Sequence, residues 1–287
     1  MKAVYKNELS TYFTTLTGYV FCAFLLLFAG IYTTAQCLKS HSTQFEYVFG
    51  YMSFIFFIIV PVLTMRVLAE ERRQKTDQLL YSLPITTTEV VLGKYFALLT
   101  VFGLALAIIG LYPLILSLYG AINLAGCYLA LLAFFFLGAA FLAIGMFVSS
   151  ITESQALAAG LCFVILLINY FLTSLTSYIS TKAVVSFVGI LACAVILALI
   201  LYLMTKNFYI SAGLLIIMAS VIFITYINNR TSYNGLLPKI LNKLALFDRF
   251  YNYMYGSFNL SGIVFFISVA AIFVFLSVQS LEKRRWS

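Results

Sequence analysis

The chain has 287 residues, 63% hydrophobic and only 9% charged, where an average soluble domain carries about 25% charged residues. Apolar runs of about twenty residues recur along its length, each able to cross the ~30 Å hydrocarbon core as a helix, which excludes a water-soluble globular domain. The net charge of +8 calls for no nucleic acid partner, because contact with anionic membrane lipid accounts for basic residues beside apolar spans.

Backbone groups in hydrocarbon must be satisfied within their own segment, so these runs are expected to be helices. The short alternating segments of an outer-membrane barrel are absent. The expected fold class is all-α: a polytopic helical membrane protein of about eight transmembrane helices, within a range of six to eight. Lys2 and Lys6 precede an apolar run too long for the core of a cleavable signal, so the first span is expected to be retained.

In chain order, segment 1–18 comes first. Ala3, Val4, Leu9, Tyr12, Phe13 and Leu16 alternate with Lys2, Lys6, Asn7 and Glu8, the pattern of a short helix lying in the membrane interface. Eight spans are then expected at 19–38, 49–68, 95–119, 124–148, 156–175, 183–204, 208–227 and 262–278. The sixth and seventh are separated only by Thr205, Lys206 and Asn207, which fits either a hairpin of two spans or a break within a re-entrant segment. With eight spans both termini share one side. That side holds Lys2, Lys6, Arg66, Arg72, Arg73, Lys75, Lys94, Lys206, Lys283, Arg284 and Arg285, which is 11 of the 17 basic residues. The positive-inside rule then puts both termini in the cytoplasm of a plasma membrane, in bacteria the inner membrane.

Segment 69–94 is the densest patch of charge. Glu71/Lys75 and Arg73/Asp77 stand at i,i+4, a spacing that supports a solvated helix. Leu79, Leu80 and Leu83 follow, and Pro84 ends the helix because the residue before a proline is pushed from the helical region. Thr86 and Glu89 have the spacing of a capping box ahead of the third span. The segment therefore reads as a rigid elbow of helix, proline turn and capped helix. On the opposite side, segment 228–261 places Leu236, Leu237, Ile240, Leu241, Leu244, Phe247 and Phe250 at helical spacing, an amphipathic helix in an extracytoplasmic loop. Tyr251, Tyr253, Tyr255 and Phe258 then suit an interfacial aromatic belt.

Chemistry-bearing residues are few. Cys22, Cys37, Cys127, Cys162 and Cys193 lie in or beside apolar runs without a CxxC pair and read as small hydrophobes. His41 is a lone loop histidine. No metal or catalytic constellation is expected. Gly93-Lys94 is followed by Tyr95, and Thr88 stands where a phosphate loop needs its first glycine, so the chain is expected to bind no ATP itself. Ionisable groups are missing from the middle of the spans, which argues against a proton- or sodium-coupled route. Asn169, the most prominent deep polar residue, fits an interhelical hydrogen bond. Pro61 and Pro113 are expected to kink their spans.

The stretch "EERRQKTDQLL", then Pro84, then "VLGKYFA" resembles the signature of type-2 ABC transporter permeases, membrane subunits that pair with a separate ATP-binding cassette protein. The tail "ALFDRFYNYMYGSFNLSGIVFFISVAAIFVFLSVQSLEKRRW" is similar to that of the gliding-motility branch of the family. The resemblance implies a single permease domain over 1–287 that is not itself catalytic. It also implies a part in an ATP-driven exporter, with ATP and Mg bound by a separate cytoplasmic ATPase and none by this chain. It implies a second permease subunit, identical or not, and an extracytoplasmic accessory protein. Carried over by position, the ATPase-coupling residues are Glu70, Glu71, Arg72, Arg73, Lys75, Thr76, Asp77 and Pro84. The next cytoplasmic turn, Ser149–Gln155 around Glu153, is expected to be a second contact, and Thr86 and Glu89 the elbow cap. Lys75 stands where many relatives have glycine. Relatives more commonly have six spans, which marks 183–227 as the added pair. The other reading is a non-transporting scaffold that anchors an extracytoplasmic partner complex.

Overall fold

The computed structural model describes residues 1–40, 42–74, 86–205, 207–228, 233–256 and 259–286. Lys75, Thr76, Asp77, Leu79, Leu80, Leu83, Pro84, His41, Lys206, Arg230 and Phe258 lie outside the described residues, as do the side chains of Arg284, Arg285 and Trp286. Among the described residues every regular element is helical. Seven helices are long and apolar enough to cross a membrane: Leu16–Lys39, Glu46–Arg73, Thr87–Ser117, Leu124–Ile151, Gln155–Tyr178, Ser211–Asn228 and Leu260–Lys283. The expected sixth span forms one helix over Ala183–Thr205, of which Ala183–Val195 is the described apolar part. The chain is thus a polytopic all-α membrane protein.

Two compact units are present: Met1–Leu167 with Leu246–Ser287, and Ile168–Ala245. The first unit opens with α1 (Lys2–Thr14) and α2 (Leu16–Thr33). The second span is assembled from α3 (Glu46–Met52), a 3-10 turn at Ser53–Ile55, α4 (Phe56–Thr64) and α5 (Ala69–Arg73). Pro61 lies inside α4, where it has no N–H to give Phe57 and its ring crowds that carbonyl. The third span is α6 (Thr87–Ile109) and α7 (Leu111–Ser117). The break at Gly110 has a similar origin, because Pro113 cannot donate to the Ile109 carbonyl. Then come α8 (Leu124–Ile151) and α9 (Gln155–Tyr178).

The core of this unit is aromatic. Phe56 of α4 stacks on Phe134 of α8 at 4.6 Å between ring centroids, Phe102 of α6 lies 6.0 Å from Phe56, and Phe141 lies 5.5 Å from it. All four are fully buried. Ring pairs of this kind add roughly 0.5–1.5 kcal/mol each beyond the area they bury. Glycines let the helices close around the rings. A Cβ at Gly138 would meet the Phe102 ring at 2.4 Å, and one at Gly145 would meet Thr64 Oγ1 at 2.3 Å.

The amphipathic segment of the sequence differs from a single surface helix. Ala245 takes an extended conformation and splits it into α12 (Leu236–Leu244) and α13 (Leu246–Met254). Phe247 and Phe250 of α13 are fully buried in the first unit. Phe247 stacks on Phe57 at 5.7 Å and lies 4.9 Å from Phe141, and Phe250 meets Phe134 edge-on at 5.8 Å. Tyr253 is also buried and donates to the Asn259 carbonyl; Tyr255 stays exposed. The last helix, α14 (Leu260–Trp286), runs beside α8, where Phe147 and Phe273 pair at 5.6 Å.

The second unit is built on a helical hairpin. α10 (Ala183–Thr205) and α11 (Phe208–Asn228) pack on each other antiparallel, with Phe187 near the start of one helix 4.6 Å from Tyr226 near the end of the other. Gly235 sits at φ +70, a left-handed conformation that glycine adopts without penalty, and its N–H donates to the Thr181 carbonyl at 2.8 Å. Asn169 donates to the Leu244 carbonyl at 3.2 Å, an interhelical bond from α9 to α12. Thr176 donates to Asn242 at 2.6 Å beside it.

Gly145→Ala is expected to lower stability by about 1–3 kcal/mol, the usual effect of overpacking, seen as a fall in melting temperature in detergent. Gly160→Ala, where a Cβ would meet nothing within 4 Å, is expected to leave the melting temperature in place.

Candidate functional site

One group of polar interactions of the first unit lies where α1, α5, α6, α8 and α14 approach one another. The centre is Lys94, about two turns beyond the start of α6 and only 2% exposed. Its ammonium donates to Glu8 Oε1 of α1 at 2.5 Å and to Glu71 Oε1 of α5 at 2.7 Å. A lone buried ammonium would be strongly unfavourable, so such a group persists only where carboxylates compensate it. Here the two carboxylates come from two different helices, and the cation binds both to a third. Both acids are partly solvated, at 19% and 25% side-chain exposure.

Gly93 makes this approach sterically feasible. A Cβ there would sit 3.1 Å from Val4 Cβ and 3.3 Å from the Met1 carbonyl, so α1 rests directly on the backbone of α6. Tyr5 adds a bond between the same helices, its hydroxyl 3.0 Å from Thr100 Oγ1. Tyr12 on α1 is buried, and burial, with the nearby Glu8 charge in support, raises its hydroxyl well above the ordinary phenol range. It therefore remains neutral.

A second tie runs from α5 to α8. The Ser149 hydroxyl accepts from the Leu68 and Ala69 N–H groups at 3.2 and 3.0 Å and donates to the Met65 carbonyl at 3.4 Å. Helix starts leave their first N–H groups without intrahelical partners, and a hydroxyl from a helix 80 residues away fills that need here. A third tie joins α14: Thr87 donates to Glu282 Oε1 at 2.9 Å, and Ser280 donates to the Ser150 carbonyl at 3.1 Å.

The residues singled out in the sequence fall around this knot. Glu71 is one of the two acids on Lys94. Glu70 lies 3.5 Å from Arg66 Nε, one turn earlier, and accepts from Gln74 at 3.3 Å. Arg72 is buried at 9% exposure, whereas Arg73 is exposed. Thr86 Oγ1 accepts from the Glu89 N–H at 3.3 Å, and the Glu89 carboxylate lies 3.4 Å from the Met1 amino group. Glu153 is exposed in the turn between α8 and α9. Ser149 opens the 149–155 turn that the sequence offered as a second contact, whereas Glu8 and Lys94 were not among the residues it singled out for coupling. The available signals were a lone lysine at the head of an apolar run and a lone acid in a basic interfacial helix.

Among the described residues no group of three histidines, cysteines or acids is placed to hold a metal ion. The described contacts tie α1, α5, α6, α8 and α14 to one another at one polar region of a helical membrane protein. The family model for ABC-2 family transporter protein matches residues 3–286, nearly the whole chain, and the chain belongs to that family. It is a multi-pass membrane protein with a permease role. No curated protein matches it.

Removing one member of a buried ion cluster costs about 3–5 kcal/mol, so Lys94→Met is expected to destabilise strongly in thermal unfolding. The triple variant Lys94→Met/Glu8→Gln/Glu71→Gln, which leaves no uncompensated charge, is expected to regain most of that loss.

Proposed function

We propose that the chain is the membrane subunit of an ATP-driven exporter, coupled to a separate cytoplasmic ATPase through segment 69–94. In this reading both termini are cytoplasmic. Two membrane subunits and two ATPases form the working unit, and this chain itself binds no nucleotide. An accessory protein on the far side would engage segment 228–261.

The observation that carries the reading is the pair of ties on α5. The Glu71–Lys94–Glu8 cluster links it to α6 and α1, and Ser149 links it to α8. A displacement applied to the segment that leaves α5 and re-enters at Thr86 is therefore delivered to both the second and third spans. The same displacement reaches the interfacial helix and the fourth span. A charged loop joined only by its covalent ends would instead dissipate much of that displacement in its own backbone.

Exposure divides the work among the charged residues. Arg73 is exposed and suits contact with an acidic surface on the ATPase. Glu71 is committed to Lys94 and transmits rather than docks. In vesicles holding the chain and its ATPase, Arg73→Glu is expected to reduce co-purification of the ATPase. Lys94→Met is expected to keep the ATPase bound and hydrolysing while cargo movement falls. The assay reads bound ATPase, phosphate release and accumulated cargo in the same preparation. Unchanged cargo movement per ATP in a folded Lys94→Met variant would contradict the coupling route.

A further inference from the structure

An apolar cavity of about 350 Å3 lies between α2 and α4, within the ~300–1,000 Å3 range of small-molecule sites. Phe21, Ile59 and Leu63 form its buried floor, while Leu16, Val20 and Val62 are more than half exposed at its rim. At one end stand Tyr12, Thr17 and Arg66, and these three also line a second, polar cavity of about 420 Å3. The polar cavity continues to Glu8, Glu70, Glu71, Gln74 and Lys94. The two spaces thus share an apolar-to-polar boundary at one arginine and one phenol.

The charges of the polar cavity specify the headgroup. Lys94 is shared between Glu8 and Glu71, and the cavity lining as a whole carries three carboxylates (Glu8, Glu70, Glu71) and two cations (Arg66, Lys94). Arg66 and Glu70 form a loose pair at 3.5 Å, with the Arg66 side chain 46% exposed. A guanidinium has five N–H donors, and one Nε contact leaves the fork able to take a phosphate bidentately. The surrounding carboxylates favour a cation beyond that phosphate. A head that is only anionic would face a lining with more carboxylates than cations.

We propose that this is a site for one membrane glycerophospholipid with an ethanolamine head. One acyl chain fills the apolar cavity, the phosphate rests on Arg66, and the ammonium faces Glu70 and the Glu8–Glu71 pair. The occupant is a resident lipid of the leaflet in which α1 lies, seated against the helix that Lys94 holds. The site stands whether or not the chain couples to an ATPase, since its recognition groups face lipid and not nucleotide.

The test is native mass spectrometry of the full-length protein, purified in mild detergent and offered phosphatidylethanolamine or phosphatidylglycerol in turn. Wild type is expected to retain one phosphatidylethanolamine per chain in preference to phosphatidylglycerol. Arg66→Gln is expected to lose it, Arg66→Lys to keep it in part, and Val62→Trp, which fills the cavity, to exclude it. Helix content and oligomeric state by circular dichroism and size exclusion show whether each variant is folded. Equal retention of both lipids, or retention unchanged in folded Arg66→Gln and Val62→Trp, would overturn the site in favour of ordinary boundary lipid. A wild-type protein free of lipid whose oligomer is lost in Val62→Trp would overturn it in favour of a second copy of the chain on this face.

Discussion

A cation with 2% exposure at the end of a membrane helix sets the terms for everything near it. Lys94 cannot be left without carboxylates in a medium of low polarity, and its two carboxylates belong to α1 and α5. Those helices are therefore held to α6 by the demand of one buried cation. Gly93 beside it removes the one side-chain atom that would keep α1 away. Two adjacent residues thus specify both the contact and the clearance it requires.

The apolar part of the first unit obeys a different rule. Phe56, Phe102, Phe134 and Phe141 make a core of rings that glycines at 138 and 145 allow to close. α13 completes it by inserting Phe247 and Phe250 from the last loop. Packing of rings is close to nondirectional along a helix axis, whereas a shared ammonium is not. The interruptions at Ser53–Ile55 and at Gly110 lie in the second and third spans, the two that the polar knot joins.

Periodicity and length made much of this visible in advance. Spans of about twenty apolar residues need no context to be read as helices, and all but one of those expected meet the length and apolarity of a full crossing among the described residues. The Thr-x-x-Glu spacing pointed to the site where Thr86 meets the Glu89 N–H, because a cap is local and its geometry follows from four residues. What could not be read were the partners of Lys94. Glu8 is 86 residues away and Glu71 is 23, and a sequence offers Glu71 several basic residues nearer in the chain. The split at Ala245 was hidden for a similar reason: helical spacing runs straight through it, and only the aromatic pocket around Phe247 and Phe250 draws the second half inward. Arg72 and Arg73 look equivalent in sequence, yet they differ in burial, because a helix turns its neighbours by about 100°.

The central claim is that one ammonium holds α1, α5 and α6 as a single mechanical unit. Hydrogen exchange on the full-length protein in lipid nanodiscs, wild type against Lys94→Met, tests it most directly. If the claim holds, the amides of Lys2–Thr14 and Ala69–Arg73 lose protection together while those of α10 and α11 keep theirs. Protection retained in α1 after the ammonium is gone would contradict it, and would place the hold on the Val4 and Tyr5 contacts instead.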